Sequence, residues 1–145
     1  DSSSAPKIDE SLPKVKLSSI VNDKKVYGVL SSIEDEDSES REYAVGVFVS
    51  RSEKTDNRLI INAVGEGAVW ITNVNGNLEN GDYITTSEIP GYGMKQNDDL
   101  LHNYTVAKIT QDCNFELDSF YVCEEIEHEG KAYKKALVGC TYHCG

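Results

Sequence analysis

Ser87, Lys95 and His102 lie close together in a heavily punctuated stretch of this chain. A serine hydroxyl becomes a nucleophile only when a base within hydrogen-bond reach takes its proton. A lysine or a histidine can be that base. Ser87 sits in Asn80-Gly81-Asp82-Tyr83-Ile84-Thr85-Thr86-Ser87-Glu88-Ile89-Pro90-Gly91-Tyr92-Gly93-Met94, where Thr85 and Thr86 add two more hydroxyls. The spacing does not demand a Ser/Lys or Ser/His arrangement. It contains neither a nucleophile elbow nor a metalloprotease histidine pair. The plainer reading is a β-turn whose hydroxyls close backbone hydrogen bonds. We assign no catalytic residue from sequence and keep Ser87, Lys95 and His102 as the enzymatic alternative.

The C-terminus offers soft-metal chemistry in Cys140-Thr141-Tyr142-His143-Cys144-Gly145, with Cys113 and Cys123 as further thiols. Structural zinc sites use paired knuckles with close cysteine spacing, and no second knuckle follows here. On a strand, Cys140 and Cys144 share one face and His143 takes the other. Cys140, His143 and Cys144 therefore stay an alternative, and we assign no metal or cofactor. The four cysteines Cys113, Cys123, Cys140 and Cys144 are also disulfide candidates, Cys113 with Cys123 and Cys140 with Cys144. Buried free thiols are the competing state. His102 enters a strand, and His128 lies in a charged turn between Glu127 and Glu129.

These residues must be positioned by strands. Beyond Pro13 the apolar period is mostly two. Strands are expected near 15–19, 26–30, 43–49, 59–64, 68–72, 83–86, 104–109, 120–123 and 133–142. The breaks are turn residues, Asn75-Gly76, Asn80-Gly81-Asp82, Pro90-Gly91 and Glu129-Gly130. Met94 to Leu101 holds at most a helical turn. About nine short strands at such intervals make an all-β sandwich or barrel. Asp1 to Pro13, rich in Ser, Pro and charge, reads as a linker or arm, and 14–145 as a single β-domain. Asp1 itself reads as a processing site or a boundary inside a longer protein. Trp70, between Val69 and Ile71, is expected in the core.

The chain has 145 residues and a formal net charge of −11. Such a charge repels phosphate backbones and argues against nucleic-acid binding. No apolar run approaches the roughly 18–20 residues of a membrane span. The densest acid is Glu34-Asp35-Glu36-Asp37, with Glu39 and Glu42 beyond. It reads as a solvated hairpin loop. A weak Ca²⁺ site is the alternative, but the run lacks the ligand alternation and glycine of an EF-hand loop.

Several segments together carry a resemblance. They are Gly65-Glu66-Gly67-Ala68-Val69-Trp70-Ile71-Thr72-Asn73, Gly81-Asp82-Tyr83-Ile84-Thr85-Thr86-Ser87, Ile89-Pro90-Gly91-Tyr92-Gly93, His102-Asn103-Tyr104-Thr105-Val106-Ala107-Lys108 and Gly139-Cys140-Thr141-Tyr142-His143-Cys144-Gly145. From about residue 11 to the end, the chain resembles the C-terminal β-domain of fibre-like or appendage structural proteins of giant DNA viruses and some marine phages. A shorter form of the pattern also resembles β-domains near the C-termini of tail-fibre and collagen-like bacterial proteins. The resemblance implies a virion-surface module, homotrimeric, binding a host-surface glycan or protein and inserting in no membrane. The alternative it implies is a self-cleaving fibre-maturation domain. The Ser-Asp-x-Arg-Leu-Lys signature of the best-known fibre chaperone is missing, so no cleavage role passes to any residue.

Overall fold

A computed structural model of the chain describes residues 14–33, 42–45, 48–51, 59–116 and 123–144. The expected arm at 1–13, most of the acidic run and the expected strand at 120–122 lie outside them. The described residues contain no helix and ten strands. The chain is all-β. Two compact units divide it, one taking in residues 1–16 and 30–60 and the other 17–29 and 61–145.

β1 (Val29–Ile33) and β4 (Leu59–Asn62) pair into a two-stranded sheet. β2 (Glu42–Val45) and β3 (Phe48–Arg51) form an antiparallel hairpin with Val45 opposite Phe48. The single strand expected over 43–49 is therefore two strands. Two strands, β2 and β3, lie wholly in the first unit, and β1 and β4 take residues from both units.

The second unit holds the barrel. Its strands are β5 (Val64–Thr72), β6 (Tyr83–Thr86), β7 (Gly93–Lys95), β8 (Thr105–Ile109), β9 (Glu124–His128) and β10 (Lys131–His143). The hydrogen-bonded order is β5-β7-β6-β8-β10-β9, and β5 also pairs with β10. That second pairing returns the sheet to its first strand, so β5, β7, β6, β8 and β10 make a closed barrel. Closure removes the exposed edges of an open sheet. The strand β10 is long enough for two partners on one side. Lys131–Lys135 pair with β9 and Cys140–Tyr142 with β8, while Lys135–His143 run against β5 on the other side.

Local chemistry sets the corners. Glu129 (φ 49°) and Gly130 (φ 79°) are the two-residue loop between His128 and Lys131, with both central φ positive as a type I′ hairpin needs. Pro90 and Gly91 (φ 82°) fill the centre of a turn closed by Tyr92 N–H donating to the Ile89 carbonyl at 3.1 Å. Between β6 and β8 the register shifts, with Ile84 opposite Ala107 but Thr85 opposite Thr105. The extra residue, Val106, makes a bulge that bends the wall. It also explains why Thr105, Val106 and Ala107 are buried in succession.

Alternation fills the interior. Val69 and Ile71 from β5, Ile84 from β6, Ala107 and Ile109 from β8, and Ala136, Val138, Cys140 and Tyr142 from β10 form one cluster with Leu78, Cys113 and Phe115. A buried side chain of Val, Ile or Phe size contributes roughly 1.5–3 kcal/mol over its exposed state. Met94 is also buried, but as part of β7 and not of a helical turn.

β5 runs straight through Gly65-Glu66-Gly67, where the sequence suggested a break. β7 is only three residues long and pairs with β5 at Ile71 opposite Gly93. Lower down β5, the Tyr142 hydroxyl accepts from Ala68 N–H at 2.9 Å and donates to the Ala68 carbonyl at 2.7 Å. The phenol supplies both partners that a neighbouring strand would have given. Gly67 makes room for it, since a Cβ there would strike the Tyr142 ring and hydroxyl.

The segment expected as a first strand, 15–19, is irregular. Residues 20–23 instead bind β6 through the hydroxyls of Thr85 and Thr86. Thr86 Oγ1 donates to the Ile20 carbonyl (2.7 Å) and accepts from Asp23 N–H (2.8 Å). Thr85 Oγ1 donates to Asn22 Oδ1 at 2.8 Å. Asn22 takes the left-handed conformation (φ 53°), which asparagine tolerates better than most residues.

Candidate functional site

The alternative catalytic residues are held by three different sets of partners. The Ser87 hydroxyl is fully buried, donates to the Tyr92 carbonyl at 2.6 Å and accepts from Ile89 N–H at 3.2 Å. It ties the Pro90-Gly91 turn together, and no base appears among its bonds. Lys95 Nζ lies 3.9 Å from Asp82 Oδ2. His102 Nε2 lies 2.9 Å from both Asp98 carboxylate oxygens. No bond joins the three residues to one another among these contacts.

The C-terminal trio divides as strand alternation requires. Cys140 is buried in the core and Cys144 packs against it, with its thiol 3.6 Å from the Val106 carbonyl. His143 points the other way. Its Nε2 is 3.0 Å from Thr141 Oγ1, and its ring stands edge-on to Tyr83 with centroids 6.0 Å apart. Among the described residues no group of His, Cys, Asp or Glu is arranged to hold a metal. All four cysteines are free thiols. Burial pushes Cys113, Cys140 and Cys144 up to about 11, so they are protonated and inert at neutral pH. The second histidine, His128, ends β9 with Nε2 4.0 Å from Glu129.

Two outward features of the barrel remain. The first is an aromatic face on β5 and β10. Trp70 is 37% exposed, against the expectation of a core position. Val69 and Ile71 point in, so the residue between them must point out. Leu137 lies directly opposite Trp70 across the strand pair and is 48% exposed. Tyr92 meets Trp70 edge-on at 6.3 Å, and Lys135 Nζ lies 4.8 Å from the Trp70 ring centre and 5.5 Å from that of Tyr92. Lys135 also donates to the Tyr92 hydroxyl at 3.3 Å and sits 3.6 Å from Glu124. The Tyr92 bond, aided by the Tyr92 and Glu124 oxygens, pushes the pKa of this ammonium up and keeps it charged.

Comparison with family models, curated proteins and solved structures finds no match to this chain. The chemistry of its surface must therefore be read from its own residues.

The second feature is the loop between β7 and β8. Gln96, 4% exposed, is its hub. Its Nε2 donates to the Leu100 carbonyl (2.7 Å) and to Asp98 Oδ1 (2.9 Å), and its Oε1 accepts from Thr105 Oγ1 (2.6 Å). Leu100 N–H donates to Asp98 Oδ1, and His102 N–H to Thr105 Oγ1. The His102 ring stacks on Tyr104, with centroids 4.5 Å apart and planes at 20°. The His102 bond, then the Leu100 N–H, hold the Asp98 carboxyl below its ordinary range. So many internal bonds fix the loop, yet Leu100 and Leu101 stand 64% and 61% exposed at its tip.

Sequence reasoning passed over both features. For Trp70 the signal was present, because period-two alternation in Val69-Trp70-Ile71 turns it outward. For the loop the only signal was Leu100-Leu101 set between polar residues. Gln96 as a buried hub has no signature of its own.

Proposed function

We propose that this chain is a non-enzymatic structural and attachment module of a virion, the trimerising C-terminal tip of a viral fibre or appendage that meets a host-surface glycan or protein. The observation that carries this reading is the barrel's outward aromatic face, Trp70, Tyr92 and Leu137 around the Lys135 ammonium. Exposed tryptophan and tyrosine beside a cation are the side chains from which binding surfaces draw most energy. The groups that could do nucleophilic chemistry are spent on structural bonds instead, Ser87 above all. The resemblance to fibre and appendage β-domains supplies the setting.

Light scattering on the chain after size-exclusion chromatography tests the reading. The expected mass is three times the 16.0 kDa of one chain. A single-chain mass persisting at high protein concentration contradicts it.

A further inference from the structure

We propose that Cys113 and Cys123 are a dithiol pair that closes to a disulfide when the folded chain meets an oxidising small-molecule disulfide. The structure holds both as free thiols, the reduced state of the pair.

Strand register brings Cys123 to Cys113. β9 and β10 pair as far as Glu124 opposite Lys135, and these two side chains meet outside the barrel at 3.6 Å. The next residue on each side turns inward. On β10 that residue is Ala136, fully buried in the core, and across from it is Cys123. Cys123 is half-buried and packs against the cluster that contains Ala136, Cys113 and Phe115. A second tie draws the Cys113 segment to the same end of β10. Lys134 Nζ donates to the Phe115 carbonyl at 3.0 Å, and Cys113 is fixed two residues earlier by its paired bonds with Leu78. The Cys113 thiol also senses Cys123 directly. Burial raises its pKa most, and a negative charge on Cys123 raises it further.

The other thiols do not compete. Cys140 and Cys144 lie four residues apart on one extended segment, roughly 13 Å, whereas cysteines with Cα atoms more than about 7 Å apart cannot be bridged. Cys140 is also four residues beyond Ala136, and so equally far from Cys123. Burial alone raises Cys140 and Cys144.

Exposure sets the order of steps. The Cys123 thiol loses its proton and attacks one sulfur of the oxidant, and the departing thiolate takes up a proton. Cys113 is fully buried and does not meet the oxidant itself. It gives up its proton and attacks the Cys123 sulfur of the mixed disulfide, and the second small thiolate leaves and is protonated. The two protein thiols lose two electrons and two protons, and the oxidant is reduced to two thiols. The new bond staples the Phe115 segment to the start of β9 and constrains the unfolded chain.

Oxidised glutathione, added to the reduced full chain without denaturant, tests the pair. The intact mass should fall by two hydrogens. Cleavage at Glu116 without reductant should leave peptides joined through Cys113 and Cys123. The urea midpoint should rise on oxidation and return on reduction. Cys113→Ala should retain glutathione on Cys123, and Cys123→Ala, at a half-buried site, should leave the mass of the chain unchanged. The native chain decides alone if Cys113→Ala fails to fold. A glutathione adduct that persists on the native chain, a bond joining any other pair, an unchanged native mass or a lower midpoint after oxidation overturns the inference. None of these results touches the trimeric reading.

Discussion

Phe115→Ala should lower the unfolding free energy of the barrel by about 3–5 kcal/mol. Phe115 is 2% exposed and heads the fully buried side chains by volume. It belongs to no strand. Its place is set by backbone bonds on several sides. Leu78 and Cys113 exchange N–H to carbonyl bonds of 2.9 and 2.8 Å, Phe115 N–H donates to Asn77 Oδ1 at 2.9 Å, and Lys134 Nζ donates to the Phe115 carbonyl at 3.0 Å. A loop pinned this firmly cannot collapse into the space a lost ring leaves. The cavity cost therefore adds to the lost transfer energy. Domains of this size are stable by about 5–15 kcal/mol, so the loss would consume a large share of the total. Urea unfolding should show a lower midpoint at an unchanged slope. A loss below about 1 kcal/mol would place the ring outside the core.

The second large effect is alkaline. Burial raises Cys113 and Cys140 from 9.0 to about 11 in the folded chain. They are 0% and 2% exposed. A thiol whose folded pKa is raised stabilises the fold fully below the unfolded value, and that stability is lost as pH climbs from about 9 to 11. Two pKa units correspond to roughly 2–3 kcal/mol per thiol at most. Cys144 shifts in the same direction. Tyrosines and lysines also titrate in this range, so the native chain alone is not informative. The comparison is with Cys113→Ala/Cys140→Ala. The native chain should lose several kcal/mol more than this variant between pH 8 and pH 11 in urea titrations. Parallel curves would mean that the thiols are solvated.

Three barrel strands were legible from alternation because packing and propensity agree there. The expected 83–86, 104–109 and 133–142 became Tyr83–Thr86, Thr105–Ile109 and Lys131–His143. Elsewhere tertiary bonds overrode local pattern. The glycines at 65 and 67 look like a break until Tyr142 is known to bridge Ala68. Val15 and Leu17 alternate as a strand would, but residues 20–23 are held against β6 by the Thr85 and Thr86 hydroxyls, and no periodicity encodes that. β7, with three residues, is too short to leave a period. The site divides in the same way. The hydroxyls of Thr85, Thr86 and Ser87 were visible as chemistry, but their partners lie up to 66 positions away. The outward turn of Trp70 needed only the alternation already in use.

The most direct measurement is the set of cross-strand nuclear Overhauser contacts on both flanks of β5. The closed barrel requires backbone contacts between β5 and β10, at Leu137 opposite Trp70 and Gly139 opposite Ala68. It requires others between β5 and β7, at Ile71 beside Gly93. Both sets in one spectrum are the predicted result. Contacts to β10 without contacts to β7 would leave an open sheet and contradict the closed barrel.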